Sequence, residues 1–326
     1  SVRCDYSECL GPRRIRIGQC NILSLNLPNE EVGIKLSGNY LLQVYNDQNP
    51  DSAVVSQRFA VVENKVGIAA SVVNSTNPTF LYTSRQLNFT VNYTGLQIYN
   101  PVRATRVYVT QNQDPNSRRN FTPTFVRQNQ LVYGNGSDNI FNGLSPFRNF
   151  QCSSLVYYTR YVKDVLKGPE GRYNFILVPG TVPQRYIPTP DRGGNFYIEA
   201  ENVQNSDLEA DYIVAHFAIL YPEPIPGAEV YIYGKFADWQ LLPELKMDYD
   251  AKNKAYVGQA ELKQGYYDYM FAVVPSKEKK PDLVTMQNNF YQTPDEYNIR
   301  FYMYDYNVMC FRLLGYQTVG AKPMGS

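Results

Sequence analysis

Apolar and polar residues alternate at a period of two along most of this chain, and turn residues punctuate the alternation. The segment from Gly227 to Phe271 shows this best. Val230-Tyr231-Ile232-Tyr233 and Ala255-Tyr256-Val257 alternate, and the polar stretch Asp248 to Lys254 separates them. Period-two patterning between turns predicts strands joined by hairpins, not helices. The same pattern places strands at Leu23–Leu27, Asn39–Tyr45, Val54–Val62, Val66–Val73, Leu87–Tyr93, Thr105–Val109, Tyr173–Val178, Ile213–Leu220 and Tyr297–Leu314. Asp114–Arg119 reads as a hairpin tip and Gly134–Ser137 as a tight turn. The best helical candidate is Ser154–Lys167, where Leu155, Tyr158, Val162 and Val165 recur at helical spacing. Its β-branched and aromatic content keeps a strand in contention there.

Two breaks in the pattern divide the chain. One lies at Glu63-Asn64-Lys65, and the other is the proline- and glycine-rich stretch 183–207, with an edge strand at Phe196-Tyr197-Ile198. The expected architecture is therefore all-β, with serial immunoglobulin-like β-sandwich domains. Residues 1–63 form a first unit, 64–182 a second sandwich, 183–207 a linker, 208–319 a C-terminal sandwich and 320–326 a tail. A chain of 326 residues suits two or three such domains.

Composition narrows the classes of function. The formal net charge is +1 and charged residues make up 19%, which gives no electrostatic reason to expect nucleic acid or an anionic membrane as partner. No apolar run reaches the roughly 20 residues of a helical membrane span. The 29 tyrosines suit half-buried pleated surfaces, and equally an adhesive face for protein or glycan. Of five cysteines, Cys4, Cys9 and Cys20 leave a bridge open, Cys310 alternates with apolar neighbours as a buried thiol does, and no pair sits at zinc-ligand spacing.

Chemistry is hard to find. The only histidine, His216, lies in the apolar strand Val214–Ala218, without the signalled partners that nucleophilic or metal chemistry needs. No nucleophile elbow, phosphate loop or dinucleotide fingerprint is present. Acidic residues are plentiful, but no pair stands out for glycoside hydrolysis. The expectation is a protein with no catalytic, cofactor or metal residues.

The candidate contact residues are Phe236, Asp238 and Trp239 in Gly234-Lys235-Phe236-Ala237-Asp238-Trp239, and Lys277, Lys279 and Lys280 in a charged loop. Both stretches are expected as exposed turns. Trp239, the sole tryptophan, has two readings: a core plug, or a ring that stacks on a sugar. Gly-x-Phe-x-x-Trp followed by Leu262-x-x-Gly265-x-Tyr267-x-Tyr269-x-Phe271 is similar to glycogen-binding, E-set-type modules. A glycan-binding module of a cell-envelope protein is thus the second functional reading.

A wider resemblance covers the chain from Leu25 to Leu314. Ser37-Gly38-Asn39-Tyr40-Leu41-Leu42-Gln43-Val44-Tyr45, Gln57-Arg58-Phe59, Leu208-Glu209-Ala210-Asp211-Tyr212 and Leu262-Lys263-Gln264-Gly265-Tyr266-Tyr267-Asp268-Tyr269 occur in that order. Together they resemble the type IX secretion system plug protein family of Bacteroidota, formerly a domain of unknown function. Residues 1–20 lack the His-Cys…Asp-Trp wording with which that family usually begins, so the first unit is expected in truncated or replaced form. The resemblance implies a non-enzymatic periplasmic protein. Its partners would be the outer-membrane translocon barrel and accessory subunits, and it would cover the barrel's periplasmic mouth when no cargo passes.

Overall fold

The computed structural model describes residues 6–8, 21–23, 26–30, 32–46, 49–134, 136–157, 159–168, 171–278 and 280–320. The fold is all-β, as the alternation predicts. Among the described residues the α-helices are four-residue turns at Pro101–Ala104, Ser206–Glu209 and Val284–Gln287. Where a helix is expected over Ser154–Lys167, residues 155–157 are bends and Val162–Lys167 is a strand, which pairs antiparallel with Tyr173–Leu177. Val162 and Val165 prefer the extended backbone, and a paired neighbour decides for it.

The chain groups into two compact units, and each takes strands from distant parts of the sequence. One unit comprises Ser1–Asn26 with Asn142–Thr293, the other Leu27–Phe141 with Pro294–Ser326. This differs from the serial order of units expected above. Tyr173–Leu177 does not close a sandwich of residues 64–182 but runs parallel to Tyr212–Leu220. Glu296–Asp305 does not complete the 208–319 unit but pairs with Thr105–Gln111. Alternation marks a residue as strand and names its inward face. It carries no information about which strand lies alongside.

In the unit built around Asn142–Thr293, one continuous sheet runs in the order Arg148–Gln151, Gly265–Pro275, Ala228–Tyr233, Lys246–Asp250, Ala255–Lys263, Tyr212–Leu220, Tyr173–Leu177 and Val162–Lys167. Gly180–Thr181 and Phe196–Ile198 join it at the side. The sheet folds back on itself. Phe150 in the first strand of that order meets Phe217 in the sixth edge-on at 5.6 Å, and Phe217 meets Tyr269 at 4.9 Å. Ile213, Ala215, Phe217 and Ile219 alternate into the same core as Val230, Ile232, Phe271 and Val273.

The second unit is a sandwich of two sheets. Gly67–Asn74, Ser84–Asn92, Phe125–Arg127, Gln130–Tyr133 and Ile140–Asn142 form one, and Thr105–Gln111, Arg119–Phe121, Glu296–Asp305 and Cys310–Gly320 form the other. Leu87, Phe89, Val91, Leu131 and Tyr133 face Val107, Val109, Tyr297, Ile299, Phe301 and Leu314 across a continuous core. Phe89 stacks on Tyr133 at 4.5 Å.

Among the described residues of 1–63 the strands form two separate pairs and no sandwich. Tyr6–Glu8 pairs with Asn21–Leu23, and Gly38–Asn46 pairs with Asn49–Val61 as a two-stranded ribbon. Two strands cannot enclose a core, and Leu41, Val44, Tyr45 and Val55 of the ribbon are exposed. Polar contacts anchor its foot to the second unit. Tyr302 Oη donates to Asn39 Oδ1 at 2.7 Å, Ser37 Oγ donates to Glu63 Oε1 at 2.7 Å and Arg312 Nε donates to Glu63 Oε1 at 2.9 Å. Cys4, Cys9, Cys20 and the tail 321–326 lie outside the described residues.

Burial alone would raise the pKa of Glu63, but hydrogen bonds from Ser37, Lys65 and Arg312 outweigh it and pull the value from 4.5 down to about 2. The folded state therefore favours the carboxylate. This contribution is complete above pH 4.5 and is lost as the pH falls through 2. With Glu63 and Arg312 each one-fifth exposed, it amounts to about 1–2 kcal/mol. Glu63→Gln should flatten the acid limb of the unfolding curve between those pH values. Arg312→Ala should release the ribbon's foot, read as faster proteolysis within residues 38–61 at neutral pH.

Candidate partner-contact surface

The turn after Ala228–Tyr233 is built so that its tryptophan returns to the interior. Lys235–Ala237 forms one 3-10 turn, after which Asp238 and Trp239 both take left-handed backbone conformations, with φ of 50° and 58°. Trp239 N–H donates to Gly234 O at 3.1 Å and closes the loop. The indole is 4% exposed. It packs on Tyr233 at 5.3 Å and Phe147 at 6.3 Å, in a cluster with Leu144, Met270 and Ala272. Trp239 is therefore a core plug, and the expectation of an exposed contact residue or a sugar platform is corrected. Two successive left-handed residues reverse the chain sharply enough to carry the ring inward. Phe236 is half-buried and meets Tyr267 edge-on at 6.0 Å. Gly234 is needed beside it, since a Cβ there would lie 2.8 Å from the Phe236 ring. Of the three turn candidates, Asp238 alone is exposed.

Lys277 and Lys280 are exposed at the far end of Gly265–Pro275, and Lys279 lies outside the described residues. The two candidate stretches do not meet. Ala228 pairs with Pro275, next to the lysine loop, whereas Tyr233 pairs with Met270, next to the tryptophan turn. They flank opposite ends of one six-residue strand, roughly 17 Å apart along it.

The Leu262–Tyr269 wording is explained by packing. Gln264 is buried, donates through Nε2 to Ser153 O at 2.9 Å and accepts from Asp211 N–H at 3.0 Å. A Cβ on Gly265 would fall 2.2 Å from Tyr197 O, so only glycine lets Phe196–Ile198 pair there. Tyr266 stacks on Tyr197 at 5.2 Å, and Tyr267 stacks between Phe150 and Phe196 at 5.5 Å and 5.7 Å.

Asp268, which the sequence pattern did not single out, clamps a neighbouring loop. Its Oδ2 accepts from the N–H groups of Arg192 and Gly194 at 2.7 Å and 2.9 Å, and its Oδ1 accepts from Tyr266 Oη at 2.7 Å. Asp191 works beside it, accepting from Phe147 N–H at 2.9 Å and Gly193 N–H at 3.0 Å. Burial dominates and pushes the Asp268 carboxyl up to about 6, with the Asp191 charge adding to the rise against those hydrogen bonds. Burial likewise raises Asp191.

His216 and Cys152 are engaged within the fold, whereas Cys310, expected as a buried thiol, is half-buried. His216 Nε2 lies 2.9 Å from Asn174 Oδ1 on the adjacent strand, and burial lowers its pKa. Burial pushes the Cys152 thiol up to about 12, away from the nucleophilic thiolate. Among the described residues no three His, Cys, Asp or Glu side chains converge as a metal cage. No helix among them is long and apolar enough to cross a membrane.

Comparison with known proteins agrees with the wider resemblance. The family model described as "Type 9 secretion system plug protein 1st domain" matches residues 21–63. Over residues 21–63, which include the two-stranded ribbon, the match bears out the resemblance to the type IX secretion plug family. The crystal structure of a hypothetical protein from Parabacteroides merdae ATCC 43184 is similar at 29% identity and a TM-score of 0.90, covering 97% of this chain and 79% of that one. No curated protein matches.

Two outcomes test this geometry. Trp239 emission should be blue-shifted and unresponsive to oligosaccharides, and Trp239→Ala should destabilise the fold by about 3–5 kcal/mol in chemical denaturation. For Asp268 the raised pKa means that the folded state favours the protonated acid. Stability from this group is therefore complete below pH 3.8 and is lost as the pH rises through 6. Asp268→Asn keeps the shape without the charge. The variant should gain on the wild type by up to about 3 kcal/mol between pH 4 and pH 7. A stability difference that does not change with pH would count against this assignment.

Proposed function

We propose, taking the plug-domain match as premise, that this protein is a non-enzymatic gate of the type IX protein secretion machinery. It works in the periplasm at the outer membrane, where it reversibly occludes the periplasmic opening of the large translocon barrel. The observation that carries the reading is the match of residues 21–63 to the plug protein's first domain. The rest of the fold is compatible with it. Each unit is a stiff body of layered sheet, and a domain of about 150 residues has a radius of gyration near ~15 Å. Bodies of that size can fill an opening wide enough for folded cargo. A gate that must also leave calls for a modest interface with a wet polar rim, not an obligate hydrophobic one. Mixed surface charge and exposed tyrosines such as Tyr82, Tyr99 and Tyr306 suit such a rim.

The test is outer-membrane permeability. Deleting the gene in a strain that retains the translocon should admit a large glycopeptide antibiotic, and deleting the translocon as well should restore the barrier. Permeability that is unchanged by the single deletion overturns the proposal. A pull-down from native outer membranes should recover the barrel with the gate.

A further inference from the structure

The outward face of the sheet formed by Thr105–Gln111, Glu296–Asp305 and Cys310–Gly320 sets arginines against aromatic rings. Val107, Val109, Ile299 and Phe301 point into the core, so the alternating positions point away from it: Arg106 is exposed, Tyr108 and Arg300 are half-buried, and Tyr302 is buried where its hydroxyl meets Asn39 of the ribbon. Register brings them together: Arg300 lies opposite both Tyr108 and Tyr316, and Tyr302 lies opposite Arg106. The Arg106 guanidinium sits 5.3 Å from the Phe311 ring, Arg118 5.2 Å from Tyr108 and Arg300 5.9 Å from Tyr316. Tyr108 meets Tyr302 edge-on at 5.5 Å. Three cations are thus laid over aromatic rings on one sheet face.

None of the three pairs with a carboxylate among the described residues. Arg106 donates through Nη1 to the carbonyls of Arg103 and Thr105, while Arg118 and Arg300 donate to no protein acceptor there. The acids at the two ends of Glu296–Asp305 are engaged: Asp305 with Arg312, and Glu296 with Asn298. A guanidinium held over a ring is oriented in advance, and its fork of N–H donors fits a carboxylate bidentately. Such an array loses little freedom when an anion arrives.

We infer that this face docks a carboxylate-bearing polypeptide segment of a partner protein. The net charge of +1 supplies no long-range attraction for nucleic acid or an anionic bilayer, so the local charge serves pairwise contacts with a protein acid. This inference rests on the face itself and not on the proposed gating, so it can fail while the permeability result stands.

The test uses the full chain and a fluorescein-labelled peptide of about 15 residues alternating Glu and Gly, followed by anisotropy at about 50 mM and about 500 mM NaCl. The Glu peptide should bind at low salt and weaken at least about tenfold at high salt. The same peptide with Gln for Glu should not bind. The triple change R106Q, R118Q and R300Q should weaken binding at least about tenfold with thermal unfolding little changed, because these side chains lie on the solvent face. If that variant fails to fold, R106K, R118K and R300K keeps the charge but loses the fork, and should still weaken binding several-fold. Equal binding by the Gln peptide, undiminished binding by a folded variant, tighter binding of an oligo-dT of equal length, or no binding of the Glu peptide would each overturn the inference.

Discussion

The unit around Asn142–Thr293 depends on burying both faces of one strand, Gly265–Pro275. Nine of its eleven residues are buried. Tyr267, Tyr269, Phe271 and Val273 enter the main core. Met270 and Ala272 point the other way, into the cluster with Trp239. A strand covered on one face only would leave Met270 and Ala272 in water. The tryptophan turn, the loop clamped by Asp268 and the short helix Val284–Gln287 cover that second face. The inward rotation of Trp239 follows from this need, and so does the tight packing that admits only glycine at 265. Sequence wording that marks a family is here a record of which atoms touch.

The same constraint explains what could be read from the sequence. Strand positions were legible because each inward residue must be apolar and each turn needs its own backbone chemistry. The ribbon strands and the strands Ala228–Tyr233 and Ala255–Lys263 fall where the alternation puts them. Partner choice was not legible. Glu296–Asp305 joins Thr105–Gln111 across more than half the length of the chain, and a period of two holds no record of that pairing. The helical spacing of apolar residues over Ser154–Lys167 misleads because such spacing also occurs by chance, and Val162 and Val165 lie in a strand. At Trp239 the identity of the residue was informative but its orientation was not. Orientation turns on two left-handed φ values, and neither aspartate nor tryptophan announces them as glycine would.

Asp268 and the Arg106–Arg118–Arg300 face were invisible for a related reason. A single aspartate in a strand, or arginines scattered over some 200 positions, carry no local pattern. Both acquire meaning only from register. Asp268 sits where a loop offers two amides to one carboxylate oxygen, and the arginines sit where neighbouring strands offer rings. Electrostatic features made by non-local pairing lie beyond a one-dimensional reading even when every strand is assigned correctly.

The contrast between these two features bears on how a stiff sheet protein can bind reversibly. The Asp268 carboxyl is desolvated and has its acceptor contacts inside the fold, so it holds a neighbouring loop in place and is not offered to a partner. The arginines keep water on one side and a ring on the other, so a partner's carboxylate displaces solvent but breaks no internal ion pair. Exchange of that kind changes the free energy by only about 1–3 kcal/mol per contact. A few such contacts hold a partner in place, yet a competing carboxylate can remove it. A hydrophobic seam of equal area would hold more firmly and release more slowly, because release would expose apolar surface on both sides at once.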